Sequence, residues 1–541
     1  MKQPHFIGPA LLLLMATLAL PEAAQAATET WSGVTNEAWN TSGNWTGTNL
    51  PPISGDSLVF TSATGAGGLN LNNDLTNSSF TLGGTTAITF NAGAGAYVIG
   101  NGTTTANMGN TFILGGNVLN SSTNLQTINN PFSMTAARTF TTSAGGGDIM
   151  LTGLISGASG AITKAGSGTL ILTNTANSFT GVVSVSAGTV RASDSTVYGA
   201  GDQNITTTVL GQAASNGASF ASNSTAKTLD LRYNGQNDAT IQKLQLLNSK
   251  GGNLLVNSSS TNSTVNVDRE SGTGTNKTIA FFNSTMANGA VLTVTGANGY
   301  SLGLGTLSAG TGAATGSVTI SPTTANVTIG NINNAGTTGF AHTLILDGTS
   351  SGSTITGIIA NSTTGGGVIS VTKQNSSTWT LSGASTYTGA TTVNGGTLAL
   401  GAANRIADTS NLVMAGGAFA TGGFNETLGT LTLSASSTID LGSGASALVF
   451  ADSSGTTWGT SISLSFVNFT AGVDTVRIGT TSGGLTGTQL ALITINGSTA
   501  SLDSSGFLSI AAIPEPSTWG VLIGAAALAG TLLMRRYRRS A

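Results

Sequence analysis

Few residues in this chain can do chemistry. It has 541 residues, with 20 acidic side chains, two histidines and no cysteine. His5 lies in an apolar N-terminal segment, so His342, at the head of the run Thr343-Leu344-Ile345-Leu346, is the one histidine of the body. A Ser-His-Asp triad would have to be built on it, and a metal site with several His ligands is excluded. A single histidine opening such a run reads as a packing or surface residue. Two G-x-S-x-G sequences occur, Gly299-Tyr300-Ser301-Leu302-Gly303 and Gly348-Thr349-Ser350-Ser351-Gly352. A chain this rich in Gly and Ser supplies such matches by chance, and neither lies between a strand and a helix as a nucleophile elbow does. The carboxylates are scattered over Asp148, Asp194, Asp202, Asp230, Asp238, Asp347 and Asp440, and the densest charge cluster is Asp268-Arg269-Glu270. In a strand, Asp268 and Glu270 would share one face. That is the minimum for a Ca²⁺ ligand pair or for the paired carboxylates of a polysaccharide hydrolase or lyase. The simpler expectation is a solvated face with a local ion pair to Arg269. No catalytic, cofactor-binding or metal-ligating residue follows, and the chain reads as a non-enzyme with no cofactor.

The elements that would have to position any site are unusual in composition. Charged residues make up 7%, where about 25% is usual. Gly accounts for 77 positions, the hydrophobic fraction is 39% and the net charge is −3. Disordered chains combine few aliphatic residues with high net charge; here there is enough apolar surface for a core, cut into short pieces between turn formers. Five of the 17 basic residues and two of the 20 acidic ones fall in the terminal segments, which leaves a body at −6. Such a body has no basic patch to neutralise phosphates, so nucleic acid is excluded as a partner. With no disulfide possible, repetitive stacking is the expected source of stability.

Both ends carry processing signals. Residues 1–26 run from a basic start through an apolar stretch at 6–20 to Pro21 and the small-residue sequence Ala24-Gln25-Ala26. This is a secretory signal peptide cut after Ala26, too short and too early broken by proline to be an anchor. Residues 513–541 read Ile513-Pro514-Glu515-Pro516-Ser517, then an apolar run over 519–534, then Arg535-Arg536-Tyr537-Arg538-Arg539. About sixteen apolar or small residues span about 24 Å, just short of a bilayer core of about 30 Å. Trp519 at one end and Arg535, Arg536, Arg538 and Arg539 at the other extend the anchor, with the arginines on the cytoplasmic side. The order of the three parts resembles the PEP-CTERM sorting signal, whose motif falls on Pro514, Glu515 and Pro516. The resemblance implies recognition and cutting by an exosortase-type membrane protease, after transient insertion in the inner membrane, and an association with extracellular polysaccharide.

Between the ends no helical period is sustained. Short runs such as 170–172, 182–185 and 344–346 are broken by Gly, Asn, Ser or Asp, which is the pattern of strands closely followed by turns. One unit recurs. Lys164-Ala165-Gly166-Ser167-Gly168-Thr169-Leu170 leads to Asn177-Ser178-Phe179-Thr180-Gly181, Val185 and Gly188-Thr189-Val190. Lys373-Gln374-Asn375-Ser376-Ser377-Thr378-Trp379 leads to Thr386-Tyr387-Thr388-Gly389, Val393 and Gly396-Thr397-Leu398. Each copy reads as a coil of strand, aromatic-Thr-Gly corner, strand and Gly-Thr turn, with Phe179 or Tyr387 filling the corner and Gly181 or Gly389 supplying a positive φ. A single coil cannot bury its apolar face and must stack.

These copies, 161–192 and 369–400, resemble the autotransporter-associated β-strand repeat, a unit of right-handed parallel β-helices. Trp31, Trp39, Asn44-Trp45, Pro51, Gly55-Asp56 and Phe60 resemble the start of many such proteins. The segment from Asn404-Arg405-Ile406 through Leu441-Gly442 to Phe450-Ala451 resembles their end. The C-terminal β-barrel of a true autotransporter has no counterpart, so the resemblance implies the rod and not the export route. The expected architecture is all-β: a right-handed parallel β-helix over 27–403, C-terminal coils or a cap over 404–512, and a single transmembrane helix in 513–541. The expected function is that of an exported structural protein of the cell surface or extracellular matrix, associated with exopolysaccharide. The alternatives are an adhesin or carbohydrate-binding protein and, behind it, a β-helix polysaccharide lyase or hydrolase.

Overall fold

A computed structural model describes residues 26–511 and a helix at 516–537, apart from 63–67, 76–78, 101–109, 144–146, 213–216, 251, 259, 312–313, 335–339 and 364–365. The body is all-β and its strands pair almost entirely in parallel, coil on coil. Three faces run along it. Face one begins with Thr28–Trp31, Ser57–Phe60 and Thr86–Phe90, paired in register (Thr28 opposite Ser57, Leu58 opposite Ile88). Face two is an unbroken ladder of fifteen strands from Asn70–Leu71 to Leu431–Ala435. Face three starts as a four-stranded sheet from Ser79–Leu82 to Ile155–Ser156 and resumes at Gln203–Ile205. In the middle coils a single long strand bends round the corner between faces three and one. Lys277–Ala287 pairs with Gln242–Leu246 through its first half and with Asn253–Val256 through its second.

Alternation along each strand makes the core. His342–Leu346 and Ile369–Lys373 bury every second residue, as a strand with one face inward must. Parallel in-register pairing then stacks the inward residues in columns. On face two one column runs Leu170, Val190, Leu229, Val265, Val294, each shielded completely from solvent. The turns between faces absorb variation in coil length. Leu412 pairs with Leu431, 19 residues on, whereas Val190 pairs with Leu229, 39 residues on. Fifteen strands at about 4.8 Å make a ladder about 67 Å long.

At the corner between faces three and one, glycines stack in a column: Gly305, Gly330, Gly357 and Gly383. A Cβ on any of them would lie under 3.0 Å from backbone of the coil before, at Phe282, Gly305, Gly330 and Gly357 respectively. Here glycine serves close approach of backbones and not a special φ.

Both ends of the solenoid leave the parallel pattern. Trp45–Thr46 pairs antiparallel to Thr28–Trp31, and Trp31, Trp39 and Trp45 pack edge-on at 5.0 and 5.5 Å over the first coils. Parallel pairing continues past residue 404 to Ile493–Ile495, where Ser498–Leu502 and Leu508–Ile510 close the last coil as an antiparallel hairpin. Unpaired edges of this kind invite aggregation unless blunted.

The C-terminal segment is helical over Pro516–Tyr537. Its 22 residues reach about 33 Å. Among the described residues, however, no helix is long and apolar enough to cross a membrane. The expected C-terminal helix is therefore present at 516–537, and a membrane span is not shown among the described residues. Its central turns are made of Gly524, Ala525, Ala526, Ala527, Ala529 and Gly530, which carry little apolar surface.

Candidate functional site

Parallel stacking concentrates charge on the outward side of face two. Arg191 lies opposite Asp230, which lies opposite Asn266 and then Thr295; beside this column Ser193, Arg232 and Asp268 are in register. The groups are therefore about 4.8 Å apart and bond along the ladder. Arg191 Nε meets Asp230 at 2.7 Å, Arg232 Nε meets the other oxygen of Asp230 at 2.8 Å, and Arg232 Nη1 meets Asp268 at 3.0 Å. Asn266 donates to Asp230 at 2.8 Å and Asn298 to Asp268 at 2.7 Å. Asp194, buried nearby, accepts from Tyr198 at 2.9 Å and from Thr207 at 2.8 Å.

The ladder corrects the expected local ion pair. Arg269 donates to the Gly274 carbonyl at 3.2 Å, and the cation beside Asp268 is Arg232 from the preceding coil. Glu270 falls beyond the end of Ser263–Asp268, is exposed, and accepts from Ser193 at 2.5 Å. Asp268 and Glu270 thus do not share a strand face. The other scattered acids are likewise tied between coils. Asp148 accepts from Thr169 N at 2.7 Å, Asp202 from Lys243 N at 2.9 Å and Asp440 from Asn468 at 2.7 Å. Asp238 pairs with Lys277 at 3.0 Å, and Asp347 accepts from Asn375. Among the described residues no three acids or histidines converge on a metal position.

His342 is buried, and both ring nitrogens lack a hydrogen-bond partner. Its ring fills the space above Gly310, where a Cβ would collide with it. Burial holds its pKa below the ordinary value, which favours the neutral ring. Ser301 is bonded to Thr278 at 2.7 Å and Ser350 to Ser353 at 3.2 Å; neither hydroxyl is bonded to His342.

The two sequence repeats become two coils of the solenoid, each with two strands and a strandless corner. In the first, Ile162–Gly166 lies on face one and Thr169–Leu172 on face two, and the corner at 177–181 takes the place of a strand on face three. There Ser178 and Thr180 donate to Ile155 and Gly157 of the coil before. In the second, Ile369–Lys373 lies on face two and Thr378–Leu381 on face three, and the corner at 386–389 takes the place of a strand on face one, with Thr386 donating to Ile359. The copies are the same unit advanced by one face. Phe179 and Tyr387 are fully buried in these corners, as expected. The expected positive φ at Gly181 and Gly389 is absent; it belongs to Gly188 and Gly396, at 68° and 57°. Gly181 and Gly389 are instead small because the coil before passes too near for a Cβ.

The lysines that open the repeats have a role that sequence reasoning missed. Lys164 and Lys373 are wholly buried. Lys164 Nζ donates to the carbonyls of Ala165 and Gly166, both at 2.7 Å, and to Thr142 at 3.2 Å. Lys373 Nζ donates to Gln374 at 2.7 Å, Asn375 at 3.0 Å and Gly395 of the next coil at 3.1 Å. Each ammonium ties together carbonyls of the turns between faces, which would otherwise be orphaned. Burial pulls both pKa values down to about 8, against the pull of Asp148 and Asp347. The signal in the sequence was the invariant order Lys, then Gly-Thr one coil on: the Gly188 and Gly396 positions are those a Cβ could not occupy beside the lysine Nζ.

One cleft of about 500 Å³ opens beside the last coils, lined by Thr456, Trp458, Ser461, Thr488, Gln489 and Leu492 and by no ionisable side chain. Trp458 turns its indole N–H inward, to the Leu431 carbonyl and Thr456.

Of the processing residues, Ala26 is exposed, two residues before the first strand. Pro514, Glu515, Arg538 and Arg539 lie outside the described residues. Pro516 opens the C-terminal helix, which also carries Trp519, Arg535 and Arg536, and Arg535 is exposed.

The passenger-associated-transport-repeat family matches residues 162–192 and 371–400. These are the two coils just described, and the match is consistent with autotransporter-associated repeats in a secreted or surface protein. No curated protein matches the chain. No solved structure matches it.

Proposed function

We propose that this chain is an exported structural rod of a bacterial cell surface or extracellular matrix, and not an enzyme. It is cut after Ala26 on export. Its C-terminal segment 513–541 then holds it briefly at the inner membrane, with Arg535, Arg536, Arg538 and Arg539 on the cytoplasmic side, until an exosortase-type protease cuts at Pro514-Glu515-Pro516. The observation that carries the reading is the state of the carboxylates: Asp148, Asp202, Asp230, Asp238, Asp268, Asp347 and Asp440 are each bonded to a neighbouring coil, on a chain rich in Ser, Thr and Asn with only 7% charged residues. Such a chain offers hydroxyls and amides to an extracellular polysaccharide without strong charge.

Intact-mass measurement on membrane and matrix fractions of the producing bacterium tests this. A matrix species running from Ala27 to the Pro514-Glu515-Pro516 motif is the expected result. A membrane species still ending at Ala541 would overturn the sorting step.

The cleft beside Trp458 favours a second reading, a carbohydrate-binding protein or adhesin with a defined site. An indole flanked by hydroxyls and a carboxamide suits a neutral sugar. Retardation in gels containing the native polysaccharide separates the two: loss of retardation in Trp458→Ala points to the cleft, and retention points to the rod surface.

A further inference from the structure

The N-terminal cap contains a buried carboxylate without a cation. Asp56 is completely shielded from solvent. Its oxygens accept from the backbone N–H of Ala27 at 2.7 Å, from Asn49 Nδ2 at 2.9 Å and from the backbone N–H of Ile53 at 2.8 Å. All three donors are neutral, and no basic side chain pairs with Asp56 among the described residues. A second buried carboxylate, Glu29, shares the cap and takes the N–H groups of Thr48 and Asn49. Two buried anions served by neutral donors alone are costly. The one donor that can become a cation is the nitrogen of Ala27. It is held from the other side too, since the Ala27 carbonyl accepts from Ser57 N at 2.9 Å, while Ala26 just before it is exposed.

We propose that Asp56 is the receptor for the new N-terminus, so that cutting the Ala26–Ala27 bond completes the cap. Water is the co-reactant. The C–N bond breaks, the water oxygen goes to the Ala26 carbonyl carbon, and the leader departs as a carboxylate. The Ala27 amine takes up the released proton and becomes an ammonium. It keeps its place on Asp56, now as a charge-assisted hydrogen bond to a carboxylate that is itself shielded from solvent. The exported form is thereby made more stable at its first coil than the precursor. This rests on removal of the leader, and the experiment keeps the two apart.

N-terminal sequencing of the exported protein locates the cut; a start other than Ala27 overturns the processing step itself. With the start at Ala27 established, the purified protein is treated with an amine-acylating ester at neutral pH. We expect the α-amine to be labelled about ten-fold more slowly in the folded state than in urea, and chains that retain Ala26 to have a lower thermal midpoint. In Asp56→Asn the protection and the difference in midpoint both disappear. If the α-amine of the folded wild-type chain is acylated as fast as in urea, the clamp is wrong, whether or not the Asp56 variant folds.

Discussion

Single residues set how this rod responds to pH and to substitution. Glu426 is buried and its Oε1 has no partner; burial pushes its pKa up to about 7, although Arg405 N donates to its other oxygen at 2.7 Å. The folded state therefore holds a proton that the unfolded chain releases near pH 4.3. Its contribution is fully present below about pH 4.3 and is lost as pH rises through about 7. His342 acts in the opposite direction. Its folded pKa lies below its unfolded one, so stability falls as pH drops below about 6.5. Glu426→Gln is expected to remove the loss on the alkaline side, so that urea midpoints between pH 5 and 8 rise with pH, as His342 dictates and as Lys164 and Lys373, with pKa values of about 8, reinforce near pH 8. A midpoint that still falls towards pH 8 would show that another group is responsible. Lys373→Met leaves three turn carbonyls without their donor and should cost about 2–4 kcal/mol in urea unfolding. Gly330→Ala places a methyl group against the Gly305 carbonyl and should cost about 1–3 kcal/mol, while alanine at Gly199, where nothing is near, should be neutral.

At the scale of the coil, the repeat is a way of turning a corner without a strand. A three-sided coil needs three strands, each with a ladder partner above and below. The repeat coils drop one and substitute an aromatic side chain, with Ser178, Thr180 and Thr386 keeping contact with the coil before. Most of the missing strand's burial then falls on Phe179 or Tyr387. Phe179→Ala and Tyr387→Ala should each cost about 3–5 kcal/mol. Tyr387→Phe loses only the bond to Thr391 at 2.7 Å and should cost about 1 kcal/mol. Because each coil touches only its neighbours, hydrogen exchange in Tyr387→Ala should quicken in coils around 359–428 and stay unchanged around Phe60 and Phe90. Uniform quickening would mean that the rod unfolds as one unit.

Across the whole molecule the ends decide whether the rod stays single. Trp31, Trp39 and Trp45 cover the first coil, and the hairpin of Ser498–Leu502 and Leu508–Ile510 covers the last. A chain stopped after Asn496 exposes Ile493–Ile495 as a free edge. Light scattering should then show concentration-dependent association that the complete chain lacks. A truncated chain that remains monomeric would show the hairpin to be dispensable as a cap.

The all-β class, the repetitive stacking and the two copies of the repeat were legible in residue order, because period-two alternation and Gly or Asn turns are local properties of the chain. Phe179 and Tyr387 could be placed in corners for the same reason. Three things were not local. The face on which each repeat lies depends on the sum of all the coil lengths before it, so two aligned segments gave no sign of being one face apart. The partner of Asp268 is Arg232, in the coil before, and sequence neighbours such as Arg269 are misleading wherever stacking at about 4.8 Å brings distant residues closer than adjacent ones. Asp56 read as part of a family-like N-terminal pattern. That it is a buried anion aimed at the nitrogen of Ala27 depends on the fold, which carries residues 29 positions apart to within 2.7 Å.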